Sequence, residues 1–192
     1  MRNIVSVLLL LIVSCPCLLA QNFRATDQSP MDMAYFPDGY AHDIRFAPDE
    51  LAFDHPIIRV VYSRPALKGR KLPGKLLPYG EVWRVGANEA PEIRFFEDVQ
   101  LGGKMVKAGD YALLAVPDAE QWTIILSRDM DQWGAYSYDM SQDIVRVSAE
   151  VSRADEMIEN FSIQFQDKGK GVREGTMLMG WGHILVRLPF SF

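Results

Sequence analysis

Val145-Arg146-Val147-Ser148-Ala149-Glu150-Val151 changes from apolar to polar at every step. Successive side chains of a strand point to opposite faces, so this stretch reads as a strand with one face in a core and one in water. The same period recurs outward along the chain. Phe161, Ile163 and Phe165 alternate with Ser162, Gln164 and Gln166, and Ile184, Val186, Leu188 and Phe190 repeat the pattern. Upstream, Ile58, Val60 and Tyr62 lie in a run rich in β-branched residues, Ile93 to Phe96 is a further strand, and Val99–Leu101, Gly102-Gly103 and Met105-Val106 spell a hairpin. Ala108-Gly109-Asp110 turns into Tyr111–Val116, and Pro117–Gln121 turns into Trp122–Leu126. The spacing predicts an all-β fold, an antiparallel β-sandwich over residues 51–192, with one helical turn near Ala154–Ile158. An outer-membrane barrel is the competing architecture. It requires longer alternating strands with an apolar outer face, and Pro189 would remove a ladder donor from its closing strand.

The first twenty residues differ from the rest. Arg2 is the only charge before Arg24, Ile4–Val13 is apolar apart from Ser6, and the segment closes at Ala20-Gln21. This is the architecture of a secretory signal peptide over residues 1–20, and the expected setting is periplasmic or secreted. Ile12-Val13-Ser14-Cys15 is also compatible with a lipoprotein signal, in which Cys15 would carry lipid and tie the protein to a membrane. Cys15 and Cys17 are the only cysteines. Cleavage after Ala20 would leave no disulfide, no thiol nucleophile and no thiolate metal site. It would also remove Arg2, taking the formal charge from −5 to −6. An acidic chain lacks the basic footprint that a nucleic-acid partner requires. Residues 21–50 carry Pro30, Pro37, Gly39 and Pro48 and read as an irregular arm, partly packed through Tyr35, Phe36, Tyr40 and Phe46.

Motifs for catalysis are sparse. His42, His55 and His183 have no partner at metal-ligand spacing, Ser63 and Ser137 lack a nucleophile-elbow context, and no glycine-rich phosphate loop is present. No metal and no cofactor is expected. Carboxylate pairs leave no spacing signature, so Glu81, Glu89, Asp139 and Asp143, in or beside loops with aromatics, stand as weak candidates for a glycosidase-like hydrolase.

Two segments stand out. Arg64, Lys68, Arg70, Lys71 and Lys75 form a basic run on a loop punctuated by proline and glycine, suited to phosphate, sulfate or carboxylate, or simply to pairing with the chain's own acids. Asp131-Gln-Trp-Gly-Ala-Tyr-Ser-Tyr-Asp139 sets Trp133, Tyr136 and Tyr138 beside amide and carboxylate groups, as a sugar site does and as an ordinary core also does. Extended, Tyr136 and Tyr138 would share a face.

Tyr62-Ser-Arg-Pro-Ala-Leu-Lys-Gly-Arg70 and Leu77-Pro-Tyr-Gly-Glu-Val-Trp-Arg-Val-Gly-Ala-Asn-Glu-Ala90 resemble the bacterial family known as domain of unknown function 2911. Leu101-Gly-Gly-Lys, Ala108-Gly-Asp-Tyr, Trp122-Thr-Ile-Ile and Trp133-Gly-Ala-Tyr-Ser-Tyr-Asp139 follow in the family's order. Ser29-Pro30 to Pro37 is similar to the arm some members carry. Val85 and Asp110 depart from the small polar residue expected there. The resemblance implies an exported, mostly β protein and supplies no catalytic residues. It does mark the segments around Arg64–Arg70 and Pro78–Glu89 as the best place for a shared site.

The expected site therefore joins Arg64, Lys68, Arg70, Trp83, Arg84, Asn88 and Glu89, with Trp133, Tyr136 and Tyr138 as stacking surfaces, and binds a glycan or anionic envelope polymer without catalysis. In a purely structural alternative the signature loops lock the fold, with Arg84 paired to Glu89 or Asp143. In a hydrolase, Glu81 or Glu89 works with Asp139 or Asp143.

Overall fold

The alternating runs become nine strands in a computed structural model that describes residues 23–192. The expected signal peptide, with Cys15 and Cys17, lies outside the described residues. In chain order the strands are β1 (Met31–Phe36), β2 (Ile58–Ser63), β3 (Glu92–Phe95), β4 (Val99–Leu101), β5 (Lys104–Val106), β6 (Gly109–Val116), β7 (Gln121–Ser127), β8 (Asp143–Asp167) and β9 (Glu174–Ser191). All pair antiparallel in one sheet, ordered β1-β2-β3-β6-β7-β8-β9-β4-β5. The all-β class is as expected, but the two stacked sheets of a sandwich are here one sheet that folds over on itself.

Strand β8 makes the fold-over. Its register against β9 shifts between Arg153 and Ile158 and again between Ile158 and Ser162. Such irregularities bend a strand and raise its twist. Beyond the bend, β8 returns across β2, where the Tyr62 hydroxyl donates to the Ile163 carbonyl at 3.2 Å and accepts from the Ile163 amide at 2.9 Å. Phe36 of β1 meets Phe165 and Phe190 edge-on across the same interior. One continuous core results, with Trp122, Phe161, Phe165 and Trp181 nearly or wholly removed from water. Burying each such side chain contributes on the order of 2–3 kcal/mol.

Two expectations change. The helical turn near Ala154–Ile158 does not form, because those residues are strand within the β8 bend. The adjacent apolar pair Met157-Ile158 interrupts the alternation there, so a bulge imitated a helical break in the sequence. The arm is also more ordered than its breakers suggest. Ala34 and Phe36 of β1 face inward and the strand pairs along β2 from Met31–Ser63 to Phe36–Ile58, followed by a short helix α1 (Tyr40–Phe46). Six residues between Pro30 and Pro37 give too brief an alternation to read alone. Asp110, the departure in β6, binds Arg94 through both carboxylate oxygens, at 2.5 and 2.7 Å.

No helix among the described residues is long and apolar enough to cross a membrane.

Candidate functional site

Residues 64–91 run over one end of the sheet and are held there by backbone bonds rather than left as a free loop. Leu67 donates to the Glu159 carbonyl and Phe161 to that of Pro65, both at 2.9 Å. Trp83 and Ala115 exchange amide and carbonyl at 2.7 and 2.9 Å. The Gly134 and Ala90 amides reach the carbonyls of Asn88 and Gln132, each at 2.9 Å, which joins the two signature segments.

Between these segments opens a cleft of about 480 Å³. Arg70, Lys75 and Arg84 line it with Glu81 and Tyr136, while Trp83 and Trp181 close its floor. Three permanent cations thus meet one carboxylate, in a chain whose formal charge is −5. None of the three takes part in an ion pair among the described residues, whereas Arg59, Arg64, Arg94, Lys107, Arg146, Lys168 and Arg173 are each paired with an acid.

The cations are held in different ways. Arg70 donates Nε to the Leu67 carbonyl at 2.8 Å and Nη2 to that of Ala66 at 2.7 Å, so neutral groups orient it and its charge stays uncompensated. Arg84 has a buried Nε with no hydrogen-bond partner. A desolvated, unmatched donor of this kind costs roughly 1–3 kcal/mol, which a bound acceptor would offset. The backbone around it is unusual. Val85 is fully buried with φ 52°, a left-handed conformation that costs a β-branched residue on the order of 1–3 kcal/mol. Gly86 follows, where a Cβ would lie 2.9 Å from the Ser63 carbonyl oxygen. At Gly134, φ is 71° and a Cβ would stand 3.1 Å from Arg84 Nη1. Gly134 thus leaves room for the Arg84 guanidinium and the Tyr136 ring, while Gly86 lets the chain pass close to the Ser63 backbone.

Several expected site residues lie elsewhere. Arg64 binds Asp32 at 2.8 Å, the Phe161 carbonyl at 3.2 Å and Ser162 Oγ at 2.7 Å, tying β2 to β1 and to the returning half of β8. Lys68 reaches Gln28 at 2.7 Å, and its amide donates to Glu159. Trp83 offers no open face. It is 5% exposed, stacked on Trp181 and edge-on to Trp122 and Phe161. The ring that does line the cleft is Tyr136, 83% exposed. Trp133 is exposed but lies outside the cleft lining, and turns rather than a strand separate Tyr136 from Tyr138. The Asn88 side chain is directed to Asp27, whose carboxyl is held below the usual range by the Ser29 amide first and by Asn88 second.

The four candidate carboxylates sit in different surroundings. Glu81 is at the cleft, Glu89 lines a separate depression beside β2 and β3, and Asp139 caps a 3-10 turn through Ser141. Asp143, its side chain 7% exposed, accepts from Tyr138 at 2.5 Å and Arg146 at 2.8 Å. The expected bond from Arg84 to Glu89 or Asp143 is absent. Among the described residues no three His, Cys, Asp or Glu side chains converge as a metal site would require.

Sequence reasoning placed Lys75 in the basic run without assigning it to the site, and missed Gly86, Gly134 and Trp181. The two glycines sit inside the signature runs, which is the signal that could have found them.

These features define an all-β domain with a basic cleft built from two loops at one end of a folded-over sheet. The chain belongs to the family described as Protein of unknown function (DUF2911), whose model matches residues 49–190. No curated protein and no solved structure shows significant similarity to it.

Proposed function

We propose that the cleft between the two signature segments binds the acidic group of an envelope glycan or other anionic polymer, without chemical conversion. The observation that carries this reading is the convergence of Arg70, Lys75 and Arg84, none ion-paired, with a buried Arg84 Nε lacking any acceptor. An oxyanion would accept charge-assisted hydrogen bonds there, about twice as strong as neutral ones. Exposed Tyr136 offers a ring face, and Glu81 offers an acceptor for hydroxyl groups, a combination that favours a hydroxylated anion such as an acidic sugar over a bare inorganic one. The setting we propose is periplasmic or secreted, with a lipid anchor at Cys15 as the alternative, on the strength of the amino-terminal apolar segment.

Calorimetric titration with polygalacturonate, and with neutral dextran as control, tests this reading. Binding of polygalacturonate should weaken as salt rises, because the attraction is ionic. Arg84→Ala should weaken it about tenfold or more, equivalent to the loss of a charge-assisted bond of about 1.4 kcal/mol or more. Equal affinity for dextran, or an Arg84→Ala variant that binds as well as the parent, would refute it. Arg64 and Lys68, whose bonds are all internal, are assigned a structural role in this reading.

A further inference from the structure

On the far side of Arg70 lies a second cleft, of about 550 Å³, between the start of the loop and the bend of β8 and β9. Arg70, its guanidinium bonded to the Ala66 and Leu67 carbonyls, lines both clefts. The second cleft adds Lys71 and Arg153, both exposed and in no ion pair among the described residues. His183 joins them with Nδ1 against the Ala154 carbonyl at 3.2 Å, which leaves its other ring nitrogen uncommitted by that bond. No carboxylate lines this cleft, and Leu72, Pro73, Tyr79 and Ile184 give it an apolar surface.

The two basic clefts adjoin at Arg70, which lines both. We infer that the ligand is a linear acidic polysaccharide that lies across both clefts, with one acidic group at Arg84 and Lys75, and a later one at Lys71 and Arg153. The inference rests on the anion-binding reading above and specifies its ligand. The apolar walls decide between classes of polyanion. A sugar ring presents C–H faces that such walls accept, while a polyphosphate is polar along its whole length. A chain filling both clefts gains affinity because its second contact is intramolecular.

The test compares galacturonic acid, a short oligogalacturonate, polygalacturonate and polyphosphate on the full chain, with melting transitions read alongside. Affinity per chain should rise about tenfold or more from monomer to polymer. The double variant Lys71→Gln, Arg153→Gln should lose about that gain, so that polymer binds little better than monomer. Lys71→Gln alone, at an exposed loop position, keeps the test available should the double variant not fold. Arg84→Ala should weaken monomer and polymer alike. If Arg84→Ala weakens polymer binding while the second-cleft variants do not, the two-cleft reading is wrong and the single-cleft reading survives. If none of these changes matters, both fall together. Polyphosphate binding as tight as polygalacturonate in raised salt would overturn the polysaccharide assignment.

Discussion

Three arginines that look alike in sequence do different work. Arg64 makes three bonds that join β1, β2 and β8, so Arg64→Ala should cost about 1–3 kcal/mol in urea unfolding. Its side chain is 36% exposed, and solvent screening of the Asp32 pair places the value toward the lower end. Arg70→Ala removes bonds only to loop carbonyls at the surface and should leave stability within about 0.5 kcal/mol. Arg84→Ala strands no partner, since none is bound, and should stay within about 1 kcal/mol. A loss of roughly 3–5 kcal/mol, as for a broken buried ion pair, would instead show an internal carboxylate partner. Gly134→Ala should cost about 1–2 kcal/mol through its left-handed backbone and also weaken polygalacturonate binding, because the new Cβ displaces Arg84. Tyr138 gives a pH signature. Burial, and next the bond to Asp143, push its phenol from 10.0 up to about 12. The folded chain then keeps this proton where the unfolded chain loses it. The contribution is complete below pH 10, shrinks as pH climbs, and is lost as pH passes about 12. Tyr138→Phe should remove one tyrosinate from the late phase of an ultraviolet titration, a phase to which the raised Tyr62 and Tyr79 also contribute. Loss of amplitude near pH 10 instead, with the late phase unchanged, would show that this phenol ionises normally.

At the scale of elements, the bend of β8 and the Tyr62 strap create the closed shape. One hydroxyl satisfies both the amide and the carbonyl of Ile163, buried between β2 and the returning strand. Tyr62→Phe keeps the ring against Phe161 but leaves both groups unmatched, and should destabilise by about 1–3 kcal/mol per stranded group. Amide exchange should quicken first at Ile163, while Val147, in the straight half of β8, stays protected. Uniform loss of protection would mean that the two halves of the strand open together.

For the whole molecule, opposite charges are unevenly distributed. A chain of formal charge −5 gathers Arg70, Lys71, Lys75, Arg84 and Arg153, none of them ion-paired among the described residues, around two neighbouring clefts, while Arg59, Arg64, Arg94, Arg146 and Arg173 are matched to acids. Such a field favours the approach of a polyanion and fades with ionic strength. The described residues contain no cysteine, so stability rests on the core and the ladders. Thermal unfolding of residues 21–192 should therefore be indifferent to reductant, with a β-dominated circular dichroism spectrum. A transition lowered by reductant would contradict that.

What the sequence by itself determined was the all-β class and most of its strands, though neither β1 nor the bend of β8, because side-chain alternation in Val145–Val151 or Phe161–Phe165 is imposed locally by the pleat. It also determined the two loops that meet at the cleft, through runs that resemble a family. Tertiary structure alone decided which charged side chains face that cleft. Arg64 and Arg70 lie six residues apart in one basic run. One is drawn inward by Asp32, Phe161 and Ser162, whereas the other is left facing solvent by short carbonyl bonds. Nothing in the sequence marks Arg153 or His183 for a cleft, since Arg153 stands among the polar residues Ser152, Asp155 and Glu156, and His183 has no partner at metal-ligand spacing. They reach the loop only because β8 bends, and the bend depends on register against β9, a long-range pairing that local pattern does not contain. Trp83 shows the same limit from the other side. Its aromatic character is evident, but whether a ring packs in a core or lines a cleft depends on neighbours distant in the chain, here Trp122, Phe161 and Trp181.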